Sequence, residues 1–228
     1  MKTSRLLLRL RSELQRIADP RRAPAMQAYM KSEMPYHGVP APVLRKTCKA
    51  LFASVDLPNE KVWRSHVLEL WRGAKYREER YAAIALSGDK RAAPFQTHAA
   101  MPLYEEIIMS GAWWDYVDEV ASRRVGPILR DHPVPMRKMM LTWSVSKDMW
   151  KRRTSILCQL GSKKDTDLEL LYACIEPSLD SEEFFLRKAI GWALRQYAWT
   201  DPAEVKRYVR KNETRLSGLS KREALKNI

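Results

Sequence analysis

The chain has 228 residues, 45% of them hydrophobic, enough to bury one sizeable core, so a single domain spanning residues 1–228 is expected. Forty-one Lys and Arg against 27 Asp and Glu leave a net charge of +14; this excess points to a polyanion, either nucleic acid or an anionic membrane surface, with a merely solvated basic surface as the bland alternative. No apolar run approaches the roughly 20 residues of a bilayer span, so a soluble chain is expected; a cytoplasmic location and a monomer are separate expectations.

The first predicted helix places Leu6, Leu7, Leu10, Leu14 and Ile17 at helical spacing, as an amphipathic helix and not a cleavable signal, a transit peptide being the alternative. Tyr29 follows within 26–31, where its hydroxyl suits a phosphate but an ordinary half-buried tyrosine also fits. Apolar residues then recur every three or four positions over 62–71, 81–86, 103–109, 156–160, 168–175 and 184–197. Breaks at Asp19-Pro20, Val39-Pro40, Leu57-Pro58, Ala93-Pro94, His132-Pro133, Gly161-Ser162 and Asp201-Pro202 divide the chain into helices of about 10 to 16 residues. Asp201 before Pro202, and Leu219-Ser220 before Lys221, read as helix starts. No alternating strand pattern competes.

A faint repeat overlies these helices. Trp114, Trp150 and Phe185 are 36 and 35 residues apart, and Asp118, Arg153 and Lys188 are 35 and 35 apart. Trp71 and Trp143 are separated by 72, with Lys75 matching Lys147 and Arg80 matching Arg152. A unit near 36 residues predicts an all-α, HEAT-like solenoid of antiparallel helix pairs with a concave basic groove, against the alternative of chance spacing among 21 aromatics. Such a groove would present Arg153, Lys188 and their neighbours to phosphates, and one acid, Asp118.

Cysteines 48, 158 and 174 form no CxxC pair, the four histidines are scattered, and the eight glycines contain neither GxGxxG nor GxxxxGK. No disulfide framework, metal or nucleotide cofactor is expected. The residues that carry chemistry lie elsewhere. In Trp113-Trp114-Asp115-Tyr116-Val117-Asp118, Trp114 and Asp118 fall one turn apart on one helical face, while Trp113 and Val117 form a stripe better suited to the core. The structural alternative buries both tryptophans and pairs Asp118 with an arginine. In the helix around 184–195, Lys188, Trp192 and Arg195 share a face, and Gly191 admits a close neighbour; core packing with a basic fringe is the alternative.

A lone acid suits cleavage of an N-glycosidic bond whose base is already cationic. Glycoside hydrolysis usually needs two carboxyls, one of them to protonate the leaving group. An N3- or N7-alkylated purine departs as a neutral base, so one carboxylate can suffice, and aromatic faces add about 0.5 to 2 kcal/mol of attraction for a cation.

Five segments in order, 26–31, Trp113-Trp114-Asp115-Tyr116-Val117-Asp118, 150–160, 184–192 and 219–224, resemble the AlkD branch of the AlkC/AlkD DNA alkylation repair glycosylases through nearly the whole chain. The resemblance implies a HEAT-like solenoid that clasps duplex DNA and releases 3-methyladenine, 7-methylguanine and bulky N-alkyl adducts without a metal or other cofactor. It implies that Asp118 is the catalytic aspartate and that Trp114 and Trp192 flank the deoxyribose of the lesion. It also makes Arg153 a DNA-contacting arginine and Tyr29 a tyrosine near the lesion backbone. Lys188, Arg195 and Arg152 are the further DNA-binding candidates. Two features depart from the pattern: Lys151-Arg152-Arg153 is more basic, and relatives continue where this chain ends, so a shortened last helix or a truncation is expected. A non-catalytic HEAT scaffold and a basic membrane-surface protein are the competing classes.

Overall fold

The computed structural model describes residues 4–228, and all regular structure among them is helical. Two compact units divide the chain at Phe95 and Gln96. The first contains α1 (Arg5–Arg16), α2 (Ala23–Met30), α3 (Ala41–Phe52), α4 (Glu60–Gly73) and α5 (Arg77–Ser87). As the apolar spacing predicts, α1 buries Leu6, Leu7, Leu10 and Leu14, and it packs against α3, α4 and α5. Burying one such leucine stabilises by about 1.5 to 3 kcal/mol before the ordering cost. Polar side chains start these helices where backbone donors are free: Ser4 accepts from the Leu7 amide and Asn59 from that of Val62.

The second unit contains α6 (Met101–Gly111), α7 (Trp114–Val120), α8 (Gly126–Asp131), α9 (Pro133–Ser144), α10 (Met149–Leu157), α11 (Leu168–Ile175), α12 (Phe184–Ala198), α13 (Pro202–Lys211) and α14 (Gly218–Ala224). Its core gathers Ala121, Leu157, Ile175, Leu186, Ile190, Leu194, Val205 and Ala224 from successive helices. A π-helical turn, Ala121–Val125, joins α7 to α8 without a break; such one-turn expansions re-aim side chains and recur at functional sites. Gly126 follows it, and a Cβ there would lie 2.4 Å from the Cys158 carbonyl oxygen. The absence of a side chain at 126 is therefore what lets the α7–α8 segment lie against α10.

Several boundaries differ from the sequence expectation. The helix expected at 156–160 ends at Leu157, and Ala93-Pro94 lies inside a 3-10 turn, Lys90–Phe95, where proline needs no amide donor. The last helix starts at Gly218, after Ser217, whose hydroxyl accepts from the Ser220 amide, and not at Leu219-Ser220; Ser220 is buried inside the helix. Helices α2, α7, α8, α10, α11 and α14 are shorter than 10 residues because tertiary burial, not length, stabilises them. Among the described residues no helix is long and apolar enough to cross a membrane.

Candidate functional site

Asp118 and Arg153, 35 residues apart in sequence, meet across α7 and α10. Arg153 Nε donates to Asp118 Oδ1 at 2.7 Å and Nη2 to Oδ2 at 2.8 Å, a two-point pairing between side chains that are 3% and 13% exposed. The planar fork matches the carboxylate, so the pairing fixes direction as well as charge. Burial pushes the Asp118 carboxyl above its usual range, and the hydrogen bonds and charge of Arg153 offset this only in part. The structural alternative for Asp118, a pairing with arginine, is therefore present. It leaves open a catalytic use, because an oriented carboxylate can still face a developing cation.

Local structure explains the meeting. α6 ends at Ala112 in the left-handed region, φ 42°, which turns the chain at once into Trp113, whose extended backbone begins α7. A Cβ at such an angle costs about 1 to 2 kcal/mol. On the facing helix Asp148 caps α10, accepting from the Trp150 and Lys151 amides at 2.9 Å each. Arg153 comes one turn later, and its Nη1 donates to the Phe185 carbonyl at the start of α12. One guanidinium thus ties three helices, and Arg153 is committed to protein acceptors before any phosphate.

The expected series Trp114, Trp150 and Phe185 is corrected by one position. Trp113, not Trp114, joins the other two rings: Trp113 to Phe185 is 5.7 Å, Trp113 to Trp150 is 6.4 Å and Trp150 to Phe185 is 5.1 Å between centroids. Trp113 precedes the helix, so helical periodicity does not govern its direction. Val117 is buried as expected, while Trp114 is half-buried, one turn from Asp118 on α7. Phe184, beside the cluster, is 58% exposed.

On α12, Trp192 is half-buried against the core of the unit. Lys188 and Arg195 both reach Glu223 on α14: Lys188 Nζ to Oε1 is 2.7 Å and Arg195 Nη1 to Oε2 is 2.6 Å. The Lys188 hydrogen bond leads the effects that hold the Glu223 carboxyl below its usual range. A Cβ on Gly191 would stand 2.5 Å from Glu223 Cβ and 2.9 Å from the Ser220 carbonyl oxygen, which is the close approach that glycine was expected to permit. Arg152 donates to the Ser178 hydroxyl and the Pro177 carbonyl, so this DNA-binding candidate fastens the turn after α11. Lys151 pairs with Glu105 on α6. Tyr29 lies on α2 of the first unit, 77% exposed. Glu223 is the site residue that sequence reasoning passed over; the available signal was a lone acid in the basic run of the last helix.

The first unit holds a second set of buried charges. Glu78 and Glu79 are fully buried. Glu78 accepts from the backbone amides of His37, Gly38 and Val39 at 3.0, 2.9 and 3.1 Å, and Glu79 from the Arg11 guanidinium and the Lys75 amide at 3.0 and 2.7 Å. These carboxylates shape the loop before α3 and anchor α1.

The family model of the DNA alkylation repair enzymes matches residues 10–228. A solved structure described as a predicted DNA alkylation repair enzyme from Enterococcus faecalis is similar with a TM-score of 0.76 and 30% identity, covering 92% of this chain and 96% of that one. No curated protein matches the sequence.

Proposed function

The chain belongs to the DNA alkylation repair enzyme family, and from that premise we propose that it is a monofunctional DNA glycosylase releasing cationic alkylated purines from duplex DNA. The observation that carries the reading is the buried, two-point Asp118–Arg153 pair one helical turn from Trp114.

In this reading the bond from C1′ to the base nitrogen breaks and its electron pair neutralises the positive charge of the alkylpurine. The sugar becomes an oxocarbenium ion, which the Asp118 carboxylate stabilises. Water then adds to C1′ and gives up a proton to the surrounding solvent. No general acid is needed, because the leaving group is already cationic. Trp114 and Trp192 present aromatic faces to the sugar cation, and Arg153 keeps Asp118 aimed. In this reading the helices pair as HEAT-like repeats, and Tyr29 and the surface cations contact phosphates, so that sequence context is not read. The substrates are 3-methyladenine, 7-methylguanine and larger N3 or N7 adducts, and the protein acts as a monomer.

The competing reading takes the pair as a structural tie in a non-catalytic DNA-binding scaffold. Chromatographic quantitation of bases released from methylated duplex, with chelator present throughout, separates the two. Release by the wild type that collapses in Asp118→Asn, with the variant still folded and bound to DNA, supports the glycosylase; binding without release supports the scaffold.

A further inference from the structure

Residues 188, 192 and 195 are spaced by four and three, so they line one face of α12. The outer two, Lys188 and Arg195, converge on the two oxygens of a single carboxylate, Glu223, at 2.7 and 2.6 Å. Trp192 stands between them. The carboxylate reaches this place because Gly191 has no side chain to hold α14 away. A further tie, from the Ser220 hydroxyl to the Arg187 carbonyl at 2.9 Å, fixes α14 along the same helix.

We infer that Glu223 is a positioning residue for Trp192: by fastening one cation a turn before the indole and one a turn after it, Glu223 fixes the face of α12 that carries it. The inference rests on the reading of Trp192 as a wall of the lesion site. It also reassigns Lys188 and Arg195. A phosphate-gripping pair would leave its cations to the DNA, whereas here an acid only 14% exposed occupies both. The two assignments predict opposite effects when the acid is neutralised.

The test compares wild type, Glu223→Gln, Trp192→Ala and the double variant, with Glu182→Gln, an exposed acid before α12, as the control. The readouts are single-turnover release of 7-methylguanine at saturating protein and affinity for undamaged duplex across a salt series. Glu223→Gln is expected to slow release roughly ten- to a hundredfold, the scale of a small misplacement. Affinity for undamaged DNA is expected to hold or rise, with a salt slope steeper by about 1 to 2 as two cations are freed. In the Trp192→Ala background the same change should alter release by less than about twofold, because a residue acting through another adds nothing once that one is gone. Unchanged release in Glu223→Gln, an equal loss in the Trp192→Ala background, or a parallel loss of DNA affinity each overturns the inference. Should Glu223→Gln melt early, Lys188→Met removes one tether alone and must show a smaller loss that likewise vanishes without Trp192. A wild type that releases no base defeats the glycosylase reading itself and, with it, any positioning role in release.

Discussion

Arg153 spans from the Asp118 carboxylate to the Phe185 carbonyl, joining α7, α10 and α12 through one buried guanidinium. Removing it leaves Asp118 buried with no counter-charge. Breaking a buried pair from one side costs about 3 to 5 kcal/mol, so Arg153→Ala should lower the melting temperature by on the order of 10 °C in a chain of this size. Arg153→Lys keeps a point charge and loses the fork; release is expected to fall tenfold or more while the fold survives. Calorimetry and base release on the two variants check this, and a lysine variant at full turnover would reject the aiming role.

The pH dependence of release has a sign that follows from burial. In the proposed mechanism Asp118 must be ionised to face a cation, and burial raises its pKa above the usual aspartate value, Arg153 offsetting this in part. Falling pH therefore protonates it earlier than an exposed aspartate, and the acid limb of single-turnover release should lie at higher pH than an exposed aspartate would give. For stability the sign is reversed: a raised folded-state pKa contributes stability below the unfolded value, and that contribution is lost as pH rises through the folded value. Arg153→Lys weakens the lowering effects, so its acid limb should move to higher pH. A limb that stayed in place would show that another group controls it.

Two glycines, Gly126 and Gly191, hold the site elements together by having no side chain, whereas Gly218 meets little. Gly126→Ala would drive Cβ into the Cys158 carbonyl at 2.4 Å, a rigid backbone atom, and is expected to cost about 1 to 3 kcal/mol and to lower release. Gly218→Ala meets only the flexible end of Arg222 at 3.3 Å and opens α14, so it should change stability by less than about 1 kcal/mol. Chemical denaturation of the two variants gives the comparison, and equal costs would contradict the packing account.

How much of this was legible in the sequence depended on the range of the interaction. The leucines of α1 and the span of α11 follow from 3.6-residue periodicity alone. The spacing of 35 residues places Asp118 and Arg153 on neighbouring helices, and they do touch. It fails for Lys188, which turns to Glu223, because the nearest opposite charge comes from a helix outside the series. It also misassigns the aromatic of the first member, since Trp113 lies outside the helix whose period was being counted. Arg152 reads as a free cation in the sequence and is engaged by Ser178 and Pro177, a contact no local pattern records. The buried carboxylates of α5 were missed for a related reason: Arg77-Glu78-Glu79-Arg80 looks like a solvated charge run, and only the fold brings the backbone amides of 37–39 and Arg11 to it.

Those carboxylates give a prediction that separates stability from chemistry. Glu78 satisfies three backbone N–H groups with two oxygens. Glutamine keeps one of those acceptors and turns an NH2 toward a donor, leaving buried donors unpaired at about 1 to 3 kcal/mol. Glu78→Gln should therefore melt several degrees lower, yet release base within about twofold of wild type at temperatures well below its midpoint. Glu79 adds a pH signature. Burial raises its pKa, but hydrogen bonds from Arg11 and the Lys75 amide, with the His37 imidazole 4.0 Å away, outweigh this and leave it lowered. A lowered folded-state value contributes stability above the unfolded pKa, lost as pH falls through the folded one. The stability gap between wild type and Glu79→Gln should accordingly persist from neutrality down to the ordinary carboxylate range and close only below it. Melts of both proteins between pH 7 and 3 measure that gap; one that closed well above pH 5 would mean the buried charge is not what stabilises α1 on α5.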